Sequence, residues 1–138
     1  MANAVKDGYF DLGSFHRPIT TTNPTAQLWF NRALVWSYGF NRPEAFSCSE
    51  KVVAADPECA MGYWGLAYAA AAYYNKPWEL FDKDDLIKST ARAYEALQKA
   101  LSLVDRASPV EQALVRALAT RHPQATPSND LFAWDQQY

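Results

Sequence analysis

The stretch Ala26–Ala69, AQLWFNRALVWSYGFNRPEAFSCSEKVVAADPECAMGYWGLAYA, decides the reading of this chain. Its first part places Leu28, Trp29, Ala33, Leu34, Val35 and Trp36 on a broad apolar face, with Asn31 and Arg32 on the other side. That is the pattern of an amphipathic helix. Gly39 can close it, and GFNRP is a turn. A second helix follows over 43–55, with Ala45, Phe46, Val52 and Val53 inward and Glu44, Glu50 and Lys51 outward. Asp56-Pro57 stops it, because a residue before proline avoids the helical region. A third helix is predicted from Glu58 to about Tyr74. The chain then matches itself. At an offset of 34, Gln27 falls on Met61, Trp29 on Tyr63, Phe30 on Trp64 and Ala33 on Ala67. At an offset of 48, Ala45 falls on Ala93, Ser49 on Leu97, Lys51 on Lys99 and Val52 on Ala100. The second helix pair therefore contains fourteen residues more than the first. The extra length centres on about 73–83, the segment YYNKPWELFD and its neighbour Lys83.

Outward from that core the signals are local. Residues 1–24 are irregular, punctuated by Gly8, Gly13, Pro18 and Pro24. Asn23-Pro24 is a helix start, an N-cap followed by proline in the first turn. Asp84 or Asp85 can cap a helix running to about Val104. Ser108-Pro109-Val110-Glu111 reads as a capping box that opens another helix, ending near His122-Pro123. LFAWDQQY at the end looks like the first turns of one more. No strand pattern of useful length occurs, so the fold class is all-α.

Bulk properties exclude several roles. The 138 residues suit one domain, 49% hydrophobic and 20% charged, with a net charge of −2 and no basic run. Nucleic acid is thereby a poor partner. The longest apolar stretch is too short to span a bilayer, so no membrane role is expected. No secretory signal is read in the first residues. Two cysteines, Cys48 and Cys59, make no disulfide framework; as buried thiols they fit a cytoplasmic protein. Aromatic residues reach 14%, ring surface that must be packed or offered to a ligand.

The offset of 34 and the residues it aligns resemble the tetratricopeptide repeat, a helix–turn–helix unit. The aromatic opening of that repeat is met by Trp29 and Tyr63, and its leucine with a following small residue by Leu66-Ala67. The early alanine of its second helix is met by Ala45 and Ala93, and its closing proline by Pro57. Ser49 and Leu97 depart from the later aromatic position, Asp105 from the second closing proline, and Glu111 from the third aromatic opening. The resemblance covers about 26–122. With GSFHRPITTTNPT and the insertion included, the chain also resembles the N-terminal part of longer microbial and fungal repeat proteins. The resemblance implies a solenoid of about two and a half repeats over 25–138, truncated at the C-terminus, behind an irregular arm over 1–24. An uncapped repeat end would be prone to self-association.

In such a solenoid the first helix of each pair lines a concave surface. The expected wall is Phe30, Leu34, Tyr38, Met61, Trp64 and Tyr68, with Trp78 of the insertion beside it. Chaperone-binding members place Lys, Asn and Arg at such positions; Phe30, Leu34, Trp64 and Tyr68 stand there instead. The expected function is an interaction module that holds a protein or peptide segment in an aromatic groove. The alternative is an accessory enzyme for a small molecule or metal, its pocket closed by the arm and the 73–83 insertion. His16, Cys59 and Met61 are the candidate metal ligands, but they lack ligand spacing. No glycine-rich phosphate loop and no nucleophile with an evident base occurs, so neither a cofactor nor catalysis is implied. Trp78 and Phe81 cannot serve the repeat's own pairing. They are expected to plug the groove, dock on the arm or meet a partner.

Overall fold

The computed structural model describes residues 7–138; residues 1–6 of the expected arm, and with them the start of the segment read for a leader, lie outside the described residues. Six α-helices and no strand occur among the described residues. No helix among them is long and apolar enough to cross a membrane.

Helix α1 spans Pro24–Tyr38, and α2 spans Arg42–Ala55. Asn23 caps α1 by accepting the backbone N–H groups of Thr25 and Ala26 at 2.9 and 3.2 Å, as the Asn-Pro signal predicts. The turn between the helices differs from expectation. Gly39 keeps an ordinary φ of −81°, and the left-handed residue is Phe40, at φ 62°. A bulky side chain in that region is strained. Asn41 then caps α2 through Glu44 N–H, and Asp56 ends it in an extended conformation.

Helix α3, Ala60–Ala70, is shorter than the predicted 58–74. It is apolar nearly all round, as befits a helix enclosed on every side. Two glycines set its distance from α2. A Cβ on Gly62 would meet Val52 and Val53 methyls, each at 2.9 Å, and one on Gly65 would meet Ser49 Oγ at 2.7 Å. Helix α4, Lys83–Leu103, is capped by Asp82 rather than Asp84 or Asp85. It buries Thr90, Ala93, Ala96, Leu97, Ala100 and Leu103. Helix α5, Pro109–Arg121, opens on the predicted capping box between Ser108 and Glu111. Helix α6, Phe132–Gln137, is a short terminal helix.

Helix α1 packs on α2, α2 on α3 and α3 on α4, while α3 also meets α1 and α5. Small residues Ala33, Ala45, Ala67, Ala93 and Ala100 are almost fully buried at these crossings, which lets backbones approach.

The arm wraps α1. At 100° per residue, Trp29, Arg32 and Trp36 lie on one flank of α1, and Gln27, Asn31 and Tyr38 on the other. Tyr9 covers the first flank. Its hydroxyl donates to Glu44 at 2.5 Å and accepts from Trp36 Nε1–H at 2.8 Å. Arg32 lies over both the Tyr9 and Trp29 rings, which meet each other edge-on, and pairs with Asp7 at 2.8 Å. Residues 15–19 cover the second flank: Phe15 meets Tyr38 edge-on, Arg17 N–H donates to Asn31 and Ile19 N–H to Gln27. Thr20 then ties the arm to α5, donating its N–H and hydroxyl to Glu111 at 2.7 and 2.6 Å.

Candidate functional site

The structure divides the expected groove residues into two sets. Phe30, Leu34, Met61 and Trp64 are buried, members of one core cluster with Val115 and Leu118 of α5, and Ile19 of the arm packs against it. The open wall expected at these four positions is therefore interior. The physical reason is that α5 packs directly on α3 and the arm packs beside it, so these rings meet protein rather than solvent. Tyr38 is exposed and Tyr68 is partly so. These two stand at the other end of the helices, and there the molecule is open.

A cleft of about 610 Å³ lies at that end. Ser37 and Tyr38 reach it from α1, Phe40 from the strained turn and Arg42 from the first turn of α2. Tyr68 and Ala72 come from the end of α3, Tyr73, Tyr74 and Pro77 from the insertion, Arg121 from α5, and Asp135 and Tyr138 from the C-terminal segment. A smaller cleft of about 320 Å³ shares Arg42 and Tyr73 with it.

The insertion forms this cleft because α3 stops early. Ala71 turns extended, and Tyr73 and Lys76 exchange backbone hydrogen bonds at 3.1 and 3.0 Å across a tight turn. Two arginines take carbonyls at the end of α3 and just beyond it. Arg42 donates to Tyr68 O at 2.5 Å, and Arg121 to Ala72 O at 3.2 Å. Cations suit the negative end of a helix dipole. A continuous series of ring contacts then runs from the core to the surface. Trp64 stacks on Tyr68 with centroids 4.9 Å apart, and Arg42 lies over Tyr68 at 4.4 Å and over Tyr73 at 4.6 Å. Phe40 stacks against Tyr73 at 6.5 Å.

The two arginines differ in charge balance. Arg121 pairs with Asp135 at 2.6 Å. Arg42 is only 9% exposed and has no carboxylate partner among the described residues, and its Nε–H is buried without a hydrogen-bond acceptor. Its pKa is lowered, by burial first and by the neighbouring Arg121 charge.

Trp78 resolves the question of the insertion in a way the sequence reading did not foresee. It is buried against the C-terminal segment, not the groove, the arm or solvent. Its indole N–H donates to Asp135 at 3.2 Å, and it meets His122 and Trp134 edge-on at 5.9 and 6.3 Å. Phe81 leans on Trp78 and carries Lys76 over its ring at 4.1 Å. His122 is 1% exposed, with no partner on either ring nitrogen among the described residues. Burial, and then the Arg121 charge, lower its pKa from the ordinary 6.5 to about 4. The final eight residues carried no signal beyond a helical start, so their role as a cleft wall was invisible in the sequence.

The candidate metal ligands are not gathered. His16 is exposed and hydrogen-bonds Asn31 at 3.0 Å. Cys59 and Met61 are buried in the core. No group of three His, Cys, Asp or Glu side chains placed to hold a metal occurs among the described residues. Both cysteines are free and buried, and burial pushes the Cys59 thiol up to about 11, which keeps it a thiol.

No protein-family profile matches this chain, and no curated protein or solved structure matches it significantly.

Proposed function

We propose that the chain is an interaction module of tetratricopeptide-like helical repeats that holds a peptide segment of a partner protein in the aromatic cleft. The repeat reading is supported by the helix pairs α1/α2 and α3/α4, by the contacts of α3 with both α1 and α5, and by the matched small residues at the crossings. The arm that wraps α1 is then an N-terminal cap of the kind repeat arrays require.

One observation carries the binding role. Tyr38, Phe40, Tyr74 and Tyr138 are 61, 50, 91 and 52% exposed around one concavity. Aromatic side chains left in water together are the usual anchors of an interface. The rings of the cleft replace Phe30, Leu34, Met61 and Trp64 as the contact surface, while Tyr38 and Tyr68 are kept from the original wall. Its volume of about 610 Å³ also falls in the range of small-molecule sites, which favours a small apolar ligand as the second reading.

The test is panning of a displayed random-peptide library on the immobilised protein. Enriched peptides are expected to lose at least tenfold in affinity for the double variant Tyr38→Ser, Tyr74→Ser. Both side chains are exposed, so circular dichroism and thermal unfolding should match the parent. Peptides that bind parent and variant equally would place the contact elsewhere, and a library that never enriches would remove the reading.

A further inference from the structure

Resting on that reading, we propose that the cleft recognises a carboxylate, the internal Asp or Glu side chain of the bound segment, and that Arg42 is the group that receives it. The argument starts from what Arg42 still has to give. A guanidinium offers two flat faces and five N–H donors at its edges. Its two faces are engaged by the Tyr68 and Tyr73 rings. Nη1 donates to Tyr68 O, whereas Nε–H and the Nη2 group make no hydrogen bond within the described residues. With the faces closed, the remaining chemistry is in-plane donation from an edge, the geometry that fits a carboxylate in bidentate fashion.

Electrostatics point the same way. The charged side chains of the larger cleft are Arg42, Arg121 and Asp135, and the last two neutralise each other. In the smaller cleft Lys76 pairs with Asp85, which leaves Arg42 and Arg92. One buried positive charge thus stands without a counterion between two open spaces. An arginine that served only to cap α3 would need one N–H, and such a cap is ordinarily exposed. Burying a guanidinium among rings with donors unused costs stability unless an acceptor arrives. The hydroxyls of Tyr38, Tyr68, Tyr73, Tyr74 and Tyr138 also lack protein partners among the described residues, and they surround the same space. A segment with an acidic residue beside an apolar or aromatic one matches this combination of one cation and many rings.

Phenylacetate is the first probe, and phenylacetamide its uncharged counterpart. The arginine Nε–H signals are followed by nuclear magnetic resonance during each titration. Because Arg32 and Arg121 also lie over aromatic rings, the Arg42 signal is assigned by through-bond correlation from its own backbone amide. Saturable movement of that signal with phenylacetate, at least tenfold weaker with phenylacetamide, is the expected result. No movement, or equal response to both, overturns the proposal. The second arm uses peptides enriched in the display experiment, all amidated at the C-terminus. Replacing their acidic residue by its amide should weaken binding roughly tenfold to a hundredfold, as expected for hydrogen bonds to a charged group. Peptides whose binding depends only on a free C-terminal carboxylate overturn the assignment to an internal side chain. Peptides that tolerate the amide leave the binding module standing and defeat the role of Arg42. A selection without any peptide defeats the module itself.

Discussion

His122 makes stability a function of pH, and the size of the effect follows from its surroundings. The ring is enclosed by Trp78 and Trp134, with Arg121 on one side and the Asp135 carboxylate facing it. Its pKa falls from 6.5 in the unfolded chain to about 4 in the fold. Between those values the unfolded chain binds the proton and the folded chain does not. Stability from this group is therefore complete above pH 6.5 and is lost as pH falls toward 4. Integrating the linkage between pH 7 and pH 5 gives a loss of about 2 kcal/mol. With an ordinary urea dependence for a chain of this size, the midpoint should move by about 1 M. The variant His122→Leu, of similar volume, should lack this component. Carboxylates titrating in the same range affect both proteins alike, so the difference between the two pH slopes isolates His122. At pH 7 the variant should be at least as stable as the parent, because it removes two buried nitrogens that have no partners. The ring proton resonances of His122 supply a direct reading. Equal pH slopes in parent and variant, or a His122 signal that titrates near the ordinary 6.5, would refute the reasoning.

The other predictions address single contacts. Gly65→Ala and Gly62→Ala should each destabilise by about 1–3 kcal/mol despite the better helix propensity of alanine, because the added methyl enters a crossing with no free space; chemical denaturation measures it, and a stabilised variant would show that α2 and α3 can separate at no cost. Glu111→Ala removes the acceptor for Thr20 and for the Ser108 N–H, so the arm should become cleavable by protease near residue 20 while α2 to α4 stay protected. Burial opposes ionisation of Glu111, but hydrogen bonds from Thr20 and Ser108 outweigh it and hold its pKa below the usual range, so the arm should also loosen in the parent as pH falls through that lowered value. Trp64→Ala should cost about 3–5 kcal/mol, the behaviour of a core ring, rather than weaken binding alone. Phe40→Gly should relieve the left-handed backbone while it removes a ring from the cleft; unfolding temperature should hold or rise as peptide affinity falls.

The helices were legible in the sequence because their signals are local. Asn23-Pro24, Asp56-Pro57 and the Ser108–Glu111 box each satisfy backbone groups within one turn, and each forms as read. The error at the end of α3 has a different origin. Nothing within Glu58–Tyr74 forbids a longer helix. It stops at Ala70, and Arg42 and Arg121 take the carbonyls of Tyr68 and Ala72 from positions far along the chain. Likewise, the expectation that Trp64 lines an open wall follows from its place on one face of a repeat. The packing of α5 on α3, which encloses it, is a tertiary fact with only a weak sequence trace.

The same contrast explains where the candidate site lies. Four features that escaped the sequence reading meet at one end of the molecule: the strained Phe40, the early end of α3, the docking of Trp78 on α6 and the uncompensated Arg42. Helix starts and stops elsewhere follow local rules, whereas here several departures gather in one place. Strain, an unused donor and exposed rings each lower stability, and a fold selected for stability alone would discard them one by one. Phe40 sharpens the point, because glycine stands one position earlier and yet does not take the left-handed conformation. The chain places the strain on the aromatic residue instead, and that conformation sets the Phe40 ring against Tyr73 at the mouth of the cleft. A turn built only to join two helices has no need of that ring; a turn that forms part of a binding surface does.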